Sequence, residues 1–459
     1  MKIHFIGIGG IGVSAIARHY LESGCKISGS DLASSDISES FKKAGAKIII
    51  GEHNAKNLPS NIDKIIYSPA VQETNPELKE AKKLQSLNPN IKILSYPQAL
   101  GELAKNYYTI AVCGTHGKST TSSMIGLAMI KAEKDPTIVV GTKLKELNNS
   151  NYRKGKSKYL VIEACEHFAS FLNYWPQIII LTNIELDHLD FYKNLENYSK
   201  SFKKFIKHLP ETGCLIANKD DENTQKLLKS EKNWNFKIIN YSLKQKEAKI
   251  LEKILKIPGK HNISNGLAAL EALKALGIKS EKAIEALSEF KGSWRRFEQG
   301  EFNSGSKKFV LIDDYAHHPA EISATLKAAR EKFSDKKICC FFQPHQYKRT
   351  DLLFKDFVKV LEEASKKKWA DKIFITDIYD VAGREDKLSK KKVSAQKLAG
   401  AVKSKFVSYL PKEEITPFIK DNLEDKEIIL AMGAGNIYQV FHKNICSQES
   451  IKIKLKKTI

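Results

Sequence analysis

An apolar strand followed by a glycine-rich loop and a helix lies in the middle of the chain and constrains its fold more than any other feature. The strand is predicted over 108–113 and the helix over 122–131. The loop between them reads Gly114-Thr115-His116-Gly117-Lys118-Ser119-Thr120. A strand that delivers a glycine loop to the start of a helix is typical of a parallel sheet with helical crossovers. The sequence therefore predicts an α/β fold with this loop at the carboxyl edge of a sheet.

The composition of this loop favours phosphate binding. Its glycines allow consecutive backbone N–H groups to curl around an anion, Lys118 supplies a point charge, and Ser119 or Thr120 can hold Mg²⁺. Two residues separate the glycines, where the usual P-loop pattern has four. The alternative interpretation is a structural glycine turn with a chance Lys-Ser pair. The preceding strand and the following helix favour an ATP site.

A second glycine motif follows the first predicted strand, at 2–6. It reads Gly7-Ile8-Gly9-Gly10-Ile11-Gly12. Asp31 comes nineteen residues after the last glycine, at the end of the next strand. This arrangement brings backbone close to a pyrophosphate and an acidic group close to ribose hydroxyls. It fits NAD as well as a nucleotide sugar, and a structural glycine turn is the third interpretation. Combined with the ATP loop, it indicates an ATP-driven reaction on a nucleotide-linked substrate.

Length and composition are those of a globular protein with two or three domains. The chain has 459 residues, of which 42% are hydrophobic and 28% charged. Predicted strands alternate with amphipathic helices in three segments, 1–106, 107–292 and 293–459. In the first segment, the strands predicted after 2–6 are 26–31, 47–50 and 63–67. Such alternation predicts mostly parallel sheets in each segment.

The net charge of +22 raises the question of a nucleic-acid partner. Only seven of the 75 basic residues are arginine, and the lysines are spread along the whole chain. Nucleic-acid surfaces favour arginine for bidentate contacts, so we expect no nucleic-acid partner. The apolar runs are too short to cross a bilayer, and the seven cysteines are scattered, as in reduced cytosolic proteins. We therefore expect a cytoplasmic protein without a membrane partner.

Further motifs along nearly the whole chain make it similar to the Mur ligases. Besides the two glycine loops, they lie at 163–166, 182–188, 259–265, 295–298, 313–319 and 342–350. The resemblance implies an α/β protein of three domains. These are an N-terminal Rossmann-like UDP-binding domain over 1–106, a central P-loop ATPase-like domain over 107–292 and a C-terminal Rossmann-like domain over 293–459.

The resemblance is strongest to family members that use L-alanine, and it implies their reaction. ATP phosphorylates the lactyl carboxylate of UDP-N-acetylmuramate, and the amine of L-alanine then attacks the acyl phosphate. This is a step of cytoplasmic peptidoglycan precursor synthesis that requires ATP and Mg²⁺. The expected partners are UDP-N-acetylmuramate and L-alanine, and the expected oligomeric state is a monomer or a homodimer.

The resemblance also implies roles for individual residues. Four are expected to be catalytic: Lys118, Glu163, His188 and Arg296. The expected metal ligands are Ser119, Thr120, Glu163 and His188. The residues expected to bind ATP are Gly114, Thr115, His116, Gly117, Lys118, Ser119, Thr120, His261, Asn262, Asn265, Arg296 and Asp314. The residues expected to bind the other substrates are Gly7, Gly9, Gly10, Ile11, Gly12, Asp31, Tyr315, His317 and Arg349.

Some assignments stay open at this point. Glu166 either faces the substrate or is solvated, and Arg295 is expected to be solvated. The rival functions are a recycling ligase that joins UDP-N-acetylmuramate to a tripeptide, a nicotinamide-dependent oxidoreductase, and a basic P-loop ATPase acting on nucleic acid. The oxidoreductase leaves the ATP loop unexplained, and the nucleic-acid ATPase predicts clustered arginines and aromatic stacking residues that the sequence lacks.

Overall fold

The computed structural model describes residues 1–381 and 387–441. A stretch that is basic in the sequence, 451–457 with four lysines, lies outside the described residues. The described chain is a three-domain α/β protein with three sheets. Its contacts divide it into two compact units. Unit 1 comprises 1–256 and 262–291, and unit 2 comprises 257–261 and the chain from Gly292 onward. Unit 1 contains the first two sheets, and unit 2 contains the third.

The N-terminal sheet has five parallel strands in the order β3-β2-β1-β4-β5. It confirms the strands predicted at 2–6, 26–31 and 47–50, whereas the strand predicted from Asp63 begins one residue later. The elements are β1 (Lys2–Ile6), α1 (Ile11–Glu22), β2 (Lys26–Asp31), α2 (Asp36–Lys43), β3 (Lys47–Ile50), β4 (Lys64–Tyr67), α3 (Pro76–Leu87), β5 (Lys92–Ser95) and α4 (Tyr96–Ala104).

The central sheet has seven strands in the order β12-β11-β10-β6-β9-β7-β8, of which only β8 runs antiparallel to its neighbour. The elements are β6 (Tyr108–Cys113), α5 (Lys118–Lys131), β7 (Thr137–Leu144), β8 (Ser150–Arg153), β9 (Tyr159–Glu163), β10 (Ile178–Leu181), α6 (Leu189–Tyr192), α7 (Leu195–Ile206), β11 (Cys214–Asn218), α8 (Glu222–Lys229), β12 (Lys237–Tyr241), α9 (Lys246–Ile254), α10 (Lys260–Ala275) and α11 (Ser280–Ser288).

The third sheet has six strands in the order β13-β14-β18-β15-β16-β17. The elements are β13 (Glu298–Ser304), β14 (Lys307–Asp314), α12 (Pro319–Lys332), β15 (Ile338–Phe342), α13 (Tyr347–Leu352), α14 (Phe354–Lys366), β16 (Lys372–Ile375), α15 (Lys387–Lys392), α16 (Ala395–Ala401), β17 (Val407–Tyr409), α17 (Ile415–Asn422) and β18 (Ile428–Met432). Short 3₁₀ helices lie at Ala55–Asn57, Lys145–Leu147, His167–Asn173 and Lys412–Glu414.

Burial explains why these sequences form parallel sheets. The side chains of Ile110, Val112 and Cys113 in β6 are fully buried, as expected for a strand covered by helices on both faces. The exceptions to the predicted parallel order are the edge pairs β7–β8 and β13–β14. A short turn through Gly305 joins β13 to β14, and such a turn can connect only antiparallel neighbours. Among the described residues, the helices lack the length and apolar character needed to cross a bilayer.

Candidate active site

The glycine loop after β6 lies at the carboxyl edge of the central sheet, where β6 is flanked by β9 and β10. Gly114 and Gly117 have positive φ angles of +129° and +83°, which strain residues that carry a Cβ. A Cβ at Gly114 would lie 2.1 Å from Thr182 Oγ1, and one at Gly117 would lie 2.3 Å from Asn265 Oδ1. The loop geometry therefore requires glycine at both positions.

The segment after β10 holds the loop from one side. Thr115 donates its backbone N–H to Asn183 O at 3.0 Å, and His116 donates its own to Asn183 Oδ1 at 2.9 Å. The His116 ring contacts Glu185, with 3.1 Å between Nε2 and Oε2. These two N–H groups are used inside the protein, and α5 begins at Lys118, earlier than predicted. The first N–H groups of a helix have no intrahelical acceptor, so the first turn of α5 presents the anion-binding groups.

The Lys118 ammonium is directed back into the loop. It donates to Gly114 O at 2.7 Å, to Thr115 O at 2.9 Å and to Glu166 Oε1 at 3.0 Å. Burial by itself lowers the pKa of Lys118, but the surrounding acidic groups, first among them Glu166, together outweigh burial and raise that pKa above its ordinary value. The lysine is therefore a fixed cation at the mouth of the loop.

Glu166 is a buried carboxylate. Of the two expectations for its side chain, contact with the substrate or exposure to solvent, the second is wrong. Its side chain is 1% exposed, and Tyr198 donates its hydroxyl to Oε1 at 3.2 Å. Burial alone raises the pKa of Glu166, but Lys118 and then His188 lower it to about 2. Glu166 is therefore an anion held between two predicted site residues.

His188 lies after β10 with a positive φ of 53°. Its Nε2 is 3.6 Å from Glu166 Oε1 and 3.8 Å from Asp187 Oδ2. The imidazole stacks on the His167 ring, with centroids 4.1 Å apart and an interplanar angle of 13°. The fold thus brings Lys118 and His188 to one carboxylate.

Glu163 ends β9 and pairs across the sheet with Val112, one residue before the end of β6. Its Oε2 accepts a hydrogen bond from Gly141 N at 2.9 Å. Ser119 and Thr120 lie in the first turn of α5 and are each 6% exposed. A carboxylate and hydroxyl oxygens at one sheet edge are ligands that Mg²⁺ prefers, so the residues present fit a magnesium ion.

The predicted asparagines lie in α10. Asn265 donates from Nδ2 to Asn262 Oδ1 at 3.3 Å, and its Oδ1 lies against Gly117. Both asparagines belong to unit 1, and Asn265 lies beside the loop. His261 belongs to unit 2.

The first glycine motif forms a closed turn between β1 and α1. Gly10 donates its N–H to Gly7 O at 3.2 Å, and Gly9 donates its N–H to Asp31 Oδ2 at 2.8 Å. A Cβ at Gly9 would lie 2.9 Å from the same Asp31 oxygen. Asp31, expected beside a ribose, thus also holds the loop itself.

The central domain contacts this motif directly. Asn151 in β8 of the central domain donates its amide to Ile11 O. From within the N-terminal domain, the Tyr96 ring at the start of α4 packs on Gly12, where a Cβ would lie 2.8 Å from Tyr96 Cζ. Burial, and then the charge of Glu163, raise the pKa of Tyr96. Tyr96 therefore links the first glycine motif to the strand end that carries Glu163.

The N-terminal domain also contains a buried carboxylate. The side chain of Glu77, at the start of α3, is fully buried. Four side chains hydrogen-bond to it over 2.7–3.1 Å: His4, Ser30, His53 and Asn57. Burial opposes ionisation of Glu77, but these hydrogen bonds outweigh it and lower its pKa far below the ordinary range. The network ties β1, β2 and the segment after β3 to α3.

Unit 2 carries its own cluster of predicted residues, after β14. Asp314 accepts hydrogen bonds from Phe297 N at 2.7 Å, from Ala316 N at 2.8 Å and from Thr325 Oγ1 at 3.1 Å. Burial raises the pKa of Asp314 to about 6, against the lowering effect of Arg296. Asp314 therefore shapes the turns that follow β14 and precede β13.

Aromatic and basic side chains line up beside Asp314. The Arg296 guanidinium lies 5.0 Å from the Tyr315 ring centroid, and the Tyr315 and His317 rings are 5.5 Å apart. His317 contacts the His345 ring at 5.8 Å, and His345 Nδ1 lies 3.3 Å from Arg349 Nη1. Unit 2 thus brings four predicted site residues together: Arg296, Tyr315, His317 and Arg349.

Arg295 is buried, which makes the prediction that it is solvated wrong. Its side chain is 1% exposed, its Nε donates to Asp313 Oδ1 at 3.0 Å, and its Nη1 donates to Gly435 O at 2.9 Å. It also donates to Gly433 O and lies 4.5 Å from the Tyr438 ring centroid. The physical reason is that a planar guanidinium can satisfy its donors inside the protein when a carboxylate and several carbonyls converge on it.

Four residues that shape these clusters had no assigned role in the sequence analysis: Glu166, Tyr96, Asn151 and His345. Glu166 and His345 lie inside the motifs at 163–166 and 342–350, so the sequence pointed to their neighbourhood but not to their roles. Tyr96 and Asn151 act across the two sheets of unit 1 and have no local signature.

Comparison with known proteins matches each third of the chain. The Mur ligase family catalytic domain matches residues 2–108, the Mur ligase middle domain matches 112–273, and the Mur ligase glutamate ligase domain matches 295–435. The chain is 40% identical to UDP-N-acetylmuramate–L-alanine ligase of Clostridium botulinum, over 95% of its own length and 96% of that protein.

Solved structures of Mur ligases have the same fold as this chain. The crystal structure of a UDP-N-acetylmuramate–alanine ligase from Thermotoga maritima has a TM-score of 0.76 and 28% identity, covering 98% of this chain and 99% of that one. A murein peptide ligase from Psychrobacter arcticus shares the fold, with a TM-score of 0.70, 22% identity and coverage of 97% and 98%. These matches extend over all three domains and over the loop and strand ends described above. The chain belongs to the Mur ligase family.

Proposed function

We propose that this chain catalyses the ATP-dependent ligation of L-alanine to the lactyl carboxylate of UDP-N-acetylmuramate. The carboxylate oxygen attacks the γ-phosphorus of ATP, and ADP leaves. The amine of L-alanine then attacks the acyl carbon, and phosphate leaves as the amide forms and the ammonium protons are lost. The observation that carries the proposal is the 40% identity to alanine ligases over 95% of the chain, in a protein whose phosphate loop and His188 share the Glu166 carboxylate.

The first step brings two anions together, so catalysis depends on fixed positive groups. In the proposal, the first turn of α5 and the Lys118 ammonium bind the β- and γ-phosphates. The loop carbonyls and Glu166 hold that ammonium in place, so little reorientation is needed when charge moves toward the leaving group. The glycines at 114 and 117 allow the backbone to approach the phosphates closely.

We assign Mg²⁺ to Glu163 and one of the hydroxyls of Ser119 and Thr120, and a second metal ion to His188. A bound magnesium ion neutralises charge on the phosphate oxygens. The protein's own contribution is to orient these ligands: Gly141 N fixes the Glu163 carboxylate, and His167 stacking fixes the ring plane of His188.

The other predicted residues receive their roles by the same proposal. The motif at 7–12 and Asp31 bind the UDP part of the substrate, and Asn262, Asn265 and His261 bind the nucleotide of ATP. Arg296 and Asp314 also serve ATP, whereas Tyr315, His317 and Arg349 serve the substrates to be joined. Two observations support a binding surface in unit 2: the buried Asp314 has a raised pKa, and Arg296 forms a cation–π pair with Tyr315.

The proposal includes domain limits of 1–106, 107–292 and 293–459, a cytoplasmic location and a monomer or homodimer. Two observations support the limits. The limit between 106 and 107 lies between the end of α4 at Ala104 and the start of β6 at Tyr108. The start of the third domain at 293 differs by one residue from the start of unit 2 at Gly292.

The test is phosphate release from ATP in the presence of Mg²⁺ and UDP-N-acetylmuramate, with L-alanine, glycine, L-serine and the tripeptide as separate acceptors. We expect release that requires both UDP-N-acetylmuramate and L-alanine. A preference for the tripeptide indicates the recycling ligase instead. Release with none of the pairs contradicts the proposed substrates.

A further inference from the structure

We propose that Glu166 is a positioning residue, whose buried carboxylate holds the Lys118 ammonium and the His188 imidazole in the geometry that phosphoryl transfer requires. The inference rests on the proposed function, because it assigns to Glu166 a part in the same reaction. Glu166 acts through Lys118 and His188 and does not itself touch the substrates.

The environment of Glu166 indicates a residue kept for its charge. Its carboxylate is almost fully buried, and a buried anion is costly unless cations and donors surround it. Both carboxylate oxygens lie 3.0 Å from Lys118 Nζ, and Oε1 also lies 3.6 Å from His188 Nε2. One carboxylate therefore sets the positions of two groups that reach it from different strand ends.

The second oxygen is less well satisfied than the first. Oε1 accepts hydrogen bonds from Lys118 and Tyr198, whereas Oε2 contacts the ammonium as an ion pair but accepts no hydrogen bond from the described residues. A purely structural buried carboxylate is normally saturated with donors, as Glu77 is in this protein. Glu166 thus retains an unfilled acceptor beside Lys118.

The ammonium has a full set of acceptors. Lysine has three donors, and the Lys118 donors go to Gly114 O, Thr115 O and Glu166 Oε1. A phosphate at the loop must compete with Glu166 for the same cation. Glu166 therefore restrains Lys118 without strengthening ground-state ATP binding. Loss of its charge should lower kcat but should not raise the KM for ATP.

A series of hydrogen bonds holds the Glu166 side chain in place. Tyr198 lies in α7, and its hydroxyl is 3.2 Å from Glu166 Oε1 and 3.1 Å from Thr115 Oγ1. Thr115 Oγ1 in turn donates to Glu185 O at 2.7 Å. Glu166, the phosphate loop and the segment before His188 are thus connected through one tyrosine.

The experiment measures steady-state ligation for wild type and Glu166→Gln, with thermal unfolding and calorimetric ATP binding on the same preparations. Glutamine keeps the shape but removes the charge. We expect kcat to fall on the order of 10- to 100-fold, as when a group that orients a reacting side chain is lost. We expect the KM and Kd for ATP to stay equal or decrease, because the competing carboxylate is gone.

Glu196→Gln is the matched control. Glu196 lies in the same unit and pairs with Lys200 at an exposed site, with 2.6 Å between Nζ and Oε1. This variant should retain the kcat and the KM of wild type. Tyr198→Phe is the second variant, because it removes one hydrogen bond to Glu166 and keeps the ring packing. We expect a severalfold loss of kcat without a rise in the KM for ATP.

The outcomes separate the two proposals. If wild type ligates no acceptor, the proposed function fails, whatever the variants do. If wild type is active and Glu166→Gln retains its kcat, or raises the KM for ATP at unchanged kcat, the positioning role is overturned. If Glu166→Gln does not fold, a kcat of Tyr198→Phe equal to that of wild type overturns it instead.

Discussion

Replacing Gly117 by alanine tests the geometry of the phosphate loop, because two separate costs can be worked out from the structure. The first cost is the backbone angle. Gly117 has a φ of +83°, and a left-handed conformation costs about 1–2 kcal/mol for a residue with a Cβ. The second cost is steric, because the new Cβ would lie 2.3 Å from Asn265 Oδ1. Relieving such a contact in a packed site costs about 1–3 kcal/mol.

Gly277→Ala is the matched control for this change. Gly277 lies in the same unit and has a φ of +76°, but a Cβ there meets no atom within 4 Å. It should therefore show only the backbone cost of about 1–2 kcal/mol, whereas Gly117→Ala should lose about 2–5 kcal/mol in total. The difference between the two variants isolates the contact with Asn265.

The assay is urea unfolding of both variants, followed by the KM for ATP in the ligation reaction. We expect Gly117→Ala to unfold at lower urea than Gly277→Ala and to have a higher KM for ATP, since Asn265 must move away from the loop. Gly277→Ala should keep the wild-type KM. Equal stability losses together with an unchanged KM in Gly117→Ala would refute the reasoning.

The remaining predictions concern charges. Lys118→Ala should abolish turnover while UDP-N-acetylmuramate binding, measured by calorimetry, stays intact; unchanged turnover removes the loop from the reaction. His188→Ala should keep ATP binding and slow ligation by orders of magnitude, and near-normal kinetics would exclude it from the site. Arg295→Ala removes the ion pair of the buried Asp313 carboxylate, so unit 2 should lose about 3–5 kcal/mol in thermal unfolding, and a loss below about 1 kcal/mol would contradict the ion pair. Because the folded pKa of Glu77 is lowered, its stabilisation is present above the ordinary carboxyl pKa of 4.5 and is lost as the pH falls below it; Glu77→Gln should unfold more easily at pH 7 and show a flatter acid profile, and parallel profiles would refute this.

Much of the fold follows from local sequence because its causes are local. The β6–loop–α5 unit depends on an apolar strand and on glycines that adopt positive φ at 114 and 117. The turn at 7–12 has the same basis. For that reason the strands at 2–6, 26–31, 47–50 and 108–113 agree with the structure residue by residue. Edge strands such as β8 and β13 are polar, and their pairing depends on a neighbour rather than on their own pattern.

The charged groups show the limit of sequence reasoning. Arg295 and Arg296 are adjacent and chemically identical, yet Arg295 is buried against Asp313 and the carbonyls of 433 and 435, whereas Arg296 lies over Tyr315. Whether a charge can be buried depends on partners that converge on it in space. No pattern within the motif carries that information.

The sequence by itself determined the α/β class, the two glycine turns and the family, since these depend on residue types at fixed spacing. Only the tertiary structure decided that Glu166 is a buried anion between Lys118 and His188, and that Tyr96 and Asn151 hold the first glycine motif. Each of these contacts joins residues 22 or more positions apart. Their free energy comes from burial and from paired charges, which exist only after the sheets have packed.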